Sequence, residues 1–61
     1  REERRRIQRL VRGLPRTHRD ALLIAAAGDL AYVEAAAVLG IPVGTLKWRV
    51  SEARRLLRER L

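Results

Sequence analysis

The residues best suited to chemistry lie in the last third of the chain, in the stretch GIPVGTLKWRVSEARRLL, which holds the single tryptophan. At about 100° per residue, a helix that begins near Val43 gathers five apolar residues on one side: Leu46, Val50, Ala53, Leu57 and Leu61. Its opposite side carries Trp48, Ser51, Glu52, Arg55 and Glu59, flanked by Lys47, Arg54 and Arg58. Four of these side chains lie nearest the start of the helix: Lys47, Trp48, Ser51 and Glu52. We therefore predict that Trp48 points away from the core. The alternative is that it folds back over the Pro42–Val43 turn as a lid.

These four side chains match the edges of nucleic-acid bases. Lysine can donate to guanine O6 or N7, glutamate can accept from cytosine N4, serine can do either, and an indole can contact a thymine methyl. The N-terminal half of a helix in the major groove reaches base edges. Arg54, Arg55 and Arg58, further along, are predicted to reach the phosphate backbone, and the free N–H groups near Thr45 suit a phosphate oxygen. Six phosphate contacts would give a log–log salt slope of roughly −5.

The charge and composition agree with a phosphate-binding domain. The 61 residues carry 14 Lys and Arg against 7 Asp and Glu, a net charge of +7. The basic charge lies in residues 1–19 and 43–61, whereas residues 20–42 are mildly acidic. A segregated basic surface is typical of nucleic-acid-binding proteins. Solubilising arginines on exposed helix faces are the plainer alternative.

Several other classes of protein are excluded or disfavoured. The chain has no cysteine and one histidine, His18, so neither a disulfide framework nor a thiolate or His-rich metal site is expected. We expect no metal and no cofactor. No nucleophile–base pair or Gly-rich phosphate loop indicates an enzyme, and His18 is predicted to be a surface or phosphate-neighbouring residue rather than a catalyst. No apolar run approaches the roughly 18 residues that would span a bilayer.

Apolar periodicity and punctuation predict an all-α fold: a compact four-helix domain with a C-terminal helix-turn-helix. We predict helices at about 2–13, 15–27, 32–39 and 43–60 in one domain, residues 1–61, excised from a longer protein. Pro15 ends the first helix, and glycines end the second and third: Gly28 and Gly40. The run LLIAAA, residues 22–27, is predicted to be buried on most sides. Three residues of the third helix are predicted to face inward: Ala35, Ala36 and Leu39.

Residues 14–61 resemble region 4 of bacterial sigma-70-type factors, especially the extracytoplasmic-function group. The resemblance rests on an ordered series of motifs: Leu14-Pro15, Arg19, Leu22–Ala27, Leu30–Tyr32, Glu34 with Ala36, Leu39-Gly40, Pro42 with Gly44-Thr45, Lys47, Arg49 and Ala53-Arg54. Three positions depart from the family pattern. Trp48 stands where a small serine is usual, Glu52 where a basic or polar residue is common, and Ala31 where a Ser or Thr caps the third helix.

The resemblance implies a bacterial cytoplasmic domain, nucleoid-associated when active, that docks on the flap of core RNA polymerase and reads the promoter −35 element in double-stranded DNA. The matching positions that face the bases are Lys47, Trp48, Ser51 and Glu52. Those near the phosphate backbone are Tyr32, Thr45 and Arg49. An anti-sigma factor is a further expected partner, and the apolar groove for it or for the flap would be lined by Ile7, Leu10, Leu22 and Leu23.

Two other functions remain open at this stage. A sigma-like domain can act as a decoy that binds an anti-sigma factor instead of DNA. A LuxR-type output domain shares the Glu-x-Ala and Thr-Val-Lys-like elements, but it normally continues with another helix, where this chain ends in RRLLRERL. The Leu-Pro start and the Arg-rich end favour the sigma family.

Overall fold

The computed structural model describes residues 1–61 as four α-helices without a strand: α1 (Glu2–Arg12), α2 (Arg16–Ala27), α3 (Tyr32–Leu39) and α4 (Val43–Arg60). The predicted all-α class is confirmed. Two helices are one residue shorter than predicted. The first ends at Arg12, with Gly13 as its C-cap, and the second begins at Arg16 because Pro15 has the extended ψ of 142° of an N-cap.

Two glycines end helices through left-handed backbone geometry. Gly28 follows α2 with φ of 76°, and Gly40 follows α3 with φ of 69°. The Gly40 N–H donates to the Ala37 carbonyl, and the Ile41 N–H donates to the Ala36 carbonyl at 3.0 Å. These bonds close the end of α3 and turn the chain within three residues into α4.

The core lies where α4 crosses the other helices. Leu46 and Val50 of α4 are the largest fully buried side chains, and α2 and α3 both pack against α4. The remaining core positions of these helices are small: Ala21, Ala35, Ala36 and Ala53. Alanine lets helices approach closely, and Leu39 packs at the edge of this cluster. The predicted inward face of α3 is thus confirmed.

The prediction for the LLIAAA run is wrong. None of residues 22–27 is fully buried, and Leu23, Ala26 and Ala27 are exposed. Both α3 and α4 pack against α2, whose single fully buried residue is Ala21. Neither helix covers Leu23, Ala26 and Ala27, so a continuous apolar run is left half in solvent.

Two arginines attach α1 to the rest of the domain. The Arg6 guanidinium donates to the Arg60 carbonyl at 3.1 Å and to the Leu61 carbonyl at 3.3 Å, at the C-terminal end of α4. The Arg19 guanidinium donates to the Arg12 carbonyl at 3.1 Å, at the end of α1. Cations at helix C-termini satisfy free carbonyls and the helix dipole. The α1 helix therefore stays docked although it contains no buried residue.

Leu61 does not join the core, contrary to the prediction. It is 61% exposed because α4 ends at Arg60 and the last residue lies beyond the packed helices. Leu57, one turn earlier, is half-buried. The apolar stripe of α4 is therefore buried only over its first three turns.

Gly40→Ala should destabilise the fold by about 1–2 kcal/mol, because an alanine there must adopt left-handed geometry. A Cβ at Gly40 would meet no atom within 4 Å, so the cost comes from the backbone alone. Gly44→Ala is the matched control: its site is equally open but lies inside α4, and we expect a gain of roughly 0.5 kcal/mol. Urea unfolding measures both. Equal effects at the two glycines would contradict the role assigned to Gly40.

Candidate nucleic-acid interface

The helix-turn-helix consists of α3, the turn Gly40–Pro42 and α4. At its start, Ala31 provides no side-chain cap, as the sequence indicated. Glu34 compensates in part, because its carboxylate accepts a hydrogen bond from the Ala31 N–H at 3.1 Å. This is the reciprocal half of a capping box, and its sequence signal is a glutamate three residues after the N-cap. The half-box fixes where α3 begins relative to α4.

Trp48 faces away from the core, as predicted from the helical periodicity. Its side chain is 58% exposed, on the side of α4 opposite the buried Leu46 and Val50. Its aromatic neighbour is His18 in the first turn of α2, with ring centroids 5.4 Å apart and planes at 72°. This is an edge-to-face arrangement. His18 is half-buried, so it lies only partly at the surface.

Glu52 and Arg55 are bound to each other on the same exposed side of α4. The Arg55 guanidinium donates to both carboxylate oxygens of Glu52, the shortest contact being 2.7 Å. It also donates to Glu59 at 2.6 Å, one turn further along. This network, which we call the Arg55 cluster (Glu52, Arg55 and Glu59), neutralises part of the charge that the sequence assigned to DNA contacts.

The pKa values of this pair reflect the contact. The pKa of the Glu52 carboxyl lies below its usual value, first because Arg55 donates hydrogen bonds to it; the charges of Arg55 and His18 also lower it, against some desolvation. The pKa of Arg55 is raised, first by the same hydrogen bonds and then by the charges of Glu52 and Glu59. Glu52 is therefore ionised, with both of its oxygens already engaged.

The other predicted interface residues divide into two groups. Four are exposed and take part in none of the four ion pairs of the molecule: Lys47, Ser51, Arg54 and Arg58. Three are half-buried: Tyr32, Thr45 and Arg49. Tyr32 packs against the core cluster at the first residue of α3. The first group is open to a ligand without any rearrangement of the protein.

The residues predicted to line a partner groove are incompletely covered. Ile7 is 45% exposed and Leu23 54% exposed, whereas Leu10 and Leu22 are half-buried. The structure does not gather all four in one depression. The single surface depression, of about 320 Å³, contains only Ile7 of this set, and its full lining is Glu3, Arg6, Ile7 and Leu61.

Two elements of the interface were missed at the level of the sequence. The Arg55 cluster could have been found, because i,i+3 and i,i+4 spacings bring opposite charges together on a helix. The contact between His18 and Trp48 joins residues that are thirty positions apart, and no local pattern signals it.

The fold and the exposed face define a class of protein: a small helical domain whose last two helices form a helix-turn-helix with a basic, outward-facing second helix. No three His, Cys, Asp or Glu side chains are grouped so as to hold a metal ion. None of the helices combines the length and the apolar character needed to cross a membrane.

Comparison with known proteins identifies the family. The profile of the family "Sigma-70, region 4" matches residues 4–57, most of the chain. The chain belongs to the sigma-70 region 4 family. This is a family of transcription regulators and not a known class of enzyme.

A curated relative agrees with this assignment. The chain is 46% identical over 44 residues to the ECF RNA polymerase sigma factor EcfG of Rhodopseudomonas palustris (strain TIE-1). The alignment covers 72% of this chain and 24% of the relative, so the chain spans about a quarter of that protein. No solved structure matches the chain.

Glu52→Gln should lower the free energy of unfolding at pH 7, because the carboxylate that binds Arg55 is lost. The pKa of Glu52 is lower in the folded state than its usual value of 4.5. The contribution of Glu52 to the free energy of unfolding is therefore fully present above pH 4.5 and is lost as the pH falls through the pKa of the folded state. The difference from the wild type should therefore shrink in acid. In an Arg55→Gln background the Glu52 change should have no effect. Equal losses in both backgrounds, measured by urea unfolding, would contradict the cluster.

Proposed function

We propose that the chain is the region 4 domain of an extracytoplasmic-function sigma factor, and that it reads the −35 element of promoters while docked on core RNA polymerase. The observation that supports this most is the division of α4 into a buried face and an exposed face with unpaired Lys47, Arg54 and Arg58. A helix-turn-helix places such an exposed face in the major groove. Family membership provides the context for this geometry.

Base contacts are assigned to the middle of the exposed face. Lys47 is free to donate to guanine, Ser51 can donate or accept, and Trp48 can lie on a thymine methyl. Glu52 can accept a hydrogen bond from a cytosine amine only through oxygens that already accept hydrogen bonds from Arg55. We therefore assign Glu52 a weaker and more geometrically restricted part in base recognition than Lys47.

Phosphate contacts are assigned to the edges of the face and to helix ends. The start of α4 has Pro42 as N-cap and no side-chain cap, so its first N–H groups are left for a phosphate oxygen near Thr45. The arginines of the backbone set that are free of ion pairs are Arg49, Arg54 and Arg58. Tyr32, the first residue of α3, is assigned a further phosphate contact. Arg55 contributes less, because two carboxylates already hold it.

Protein partners are assigned to apolar side chains of α1 and α2. Exposed Ile7 and Leu23 and half-buried Leu10 and Leu22 offer apolar area for the polymerase flap or for an anti-sigma factor. An apolar surface of this kind accepts an amphipathic helix. The domain would act in the bacterial cytoplasm, on the nucleoid when active.

A second function has a specific observation in its favour. The exposed face carries a bulky indole and an ionised carboxylate at two central positions, Trp48 and Glu52. Both reduce its complementarity to DNA. A sigma-like decoy that captures an anti-sigma factor would tolerate them.

Lys47→Ala should weaken binding to a preferred duplex and relax discrimination at one base pair by about 1–3 kcal/mol. The matched control is Arg58→Ala, which removes one exposed cation from the same helix. It should weaken binding to all sequences alike and reduce the salt slope by about 1. The measurement is fluorescence anisotropy with a duplex selected by the wild type from a randomised pool, and with its single-base variants. Uniform weakening by both changes would contradict a base contact from Lys47.

The salt dependence of duplex binding should be shallower than the charge of the sequence indicates. The unpaired cations assigned to phosphates are Arg49, Arg54 and Arg58, and three such contacts correspond to a log–log slope of roughly −2.7. This is less than the slope of about −5 expected for six contacts. Titrations from low to moderate salt measure it. A duplex affinity that is absent at low salt, together with tight capture of an anti-sigma factor, would favour the decoy.

A further inference from the structure

His18 lies outside the helix-turn-helix and yet touches its exposed face. It belongs to the first turn of α2, and its ring meets Trp48 edge to face with centroids 5.4 Å apart. Aromatic pairs favour this arrangement at separations of about 4.5–7 Å. The indole is 58% exposed, so the contact covers part of Trp48 and leaves the rest open to a ligand.

The His18 ring is itself held in place. Its Nδ1 atom lies 3.2 Å from the Thr17 hydroxyl oxygen, within hydrogen-bond distance. Ala21, three residues further along the same face of α2, is fully buried against the core. The backbone that carries His18 is thus fixed relative to α4, and the imidazole presents a defined surface to the indole.

Trp48 needs such a neighbour more than a core residue would. A side chain on the exposed side of a helix can populate several staggered rotamers, and ordering it on binding costs affinity. One turn beyond Trp48, on the same side of α4, the Glu52 carboxylate is held by Arg55. The aromatic contact with His18 joins Trp48 to a second element, α2.

We propose that His18 is a positioning residue for base recognition. It holds the Trp48 indole in one orientation while α4 lies in the major groove. The preference for a base at the base pair that Trp48 contacts then depends on a residue of α2. The proposal rests on the proposed DNA-binding function and names a specificity determinant for it.

The test compares the wild type, His18→Ala and His18→Phe, which keeps an aromatic edge without the ring nitrogens. Near-ultraviolet circular dichroism of the free protein reports the immobilisation of the only indole. Selection from a duplex pool randomised over the site reports base preference. His18→Ala should reduce the indole signal and flatten the preference at one base pair by about two- to tenfold, the range for an aromatic pair. Non-specific affinity should be unchanged, and His18→Phe should restore both properties.

A Trp48→Ala background provides the control for coupling. There, His18→Ala should leave base preference unaltered, since the group that it positions is gone. Far-ultraviolet circular dichroism checks that each variant retains its helices. A uniform loss of affinity at every base, without rescue by phenylalanine, would mean that His18 is only structural and would overturn the proposal.

The failure of this proposal can be told apart from the failure of the DNA-binding function. If the wild type discriminates between bases and His18→Ala discriminates equally well, only the positioning role is overturned. If the wild type shows no base preference at all, the DNA-reading function fails, and the role of His18 fails with it. The indole signal in the free protein then shows whether the ring contact itself forms.

Discussion

The burial of Leu46, Val50 and Ala53 is the interaction on which the rest of the molecule depends, and Leu46 and Val50 pack with alanines of α2 and α3. A single helix forms the centre of the core, and all three other helices pack on it. Because side chains on a helix advance by about 100° per residue, fixing three inward positions also fixes which residues point outward. The outward orientation of Trp48 and of the basic residues beside it follows from the packing of the buried face of α4. Fold and interface therefore cannot vary independently in this chain.

The arginines of the chain do two kinds of work, and the net charge of +7 conceals the difference. Arg6 and Arg19 neutralise helix ends and hold α1 in place, in a domain whose core includes four alanines. Arg55 is bound by two glutamates. Within the helix-turn-helix, the cations that can neutralise phosphates without giving up an internal contact are the unpaired ones of α4. Along this helix, electrostatic attraction to DNA is thus carried by a smaller set than its composition indicates.

The helix order and the outward face of α4 could be predicted because each rests on local rules. Pro15, Gly28 and Gly40 mark helix boundaries through their backbone geometry. The division of α4 into an inward and an outward face follows from the helical period alone. The burial of LLIAAA could not be predicted in the same way, because apolar character does not say which sides of a helix have a neighbour. For the same reason the contact between His18 and Trp48 required the packing angle of α2 on α4. Whether the predicted base and phosphate contacts are made depends on a ligand, which no local rule of the chain describes.

The two unusual residues of the exposed face each have a partner within the protein. Trp48 rests on His18, and Glu52 is bound by Arg55. The indole is thereby given a defined position, and the negative charge of the carboxylate is balanced before any ligand arrives. The centre of the face becomes close to neutral, while unpaired Arg54 and Arg58, to which phosphate contacts are assigned, lie along one flank. A neutral centre beside a cationic flank matches the floor of a DNA groove beside a phosphate strand. Trp48 and Glu52 depart from the family pattern, and each taken alone is unfavourable for DNA binding. Together with their partners, the two residues are compatible with DNA binding.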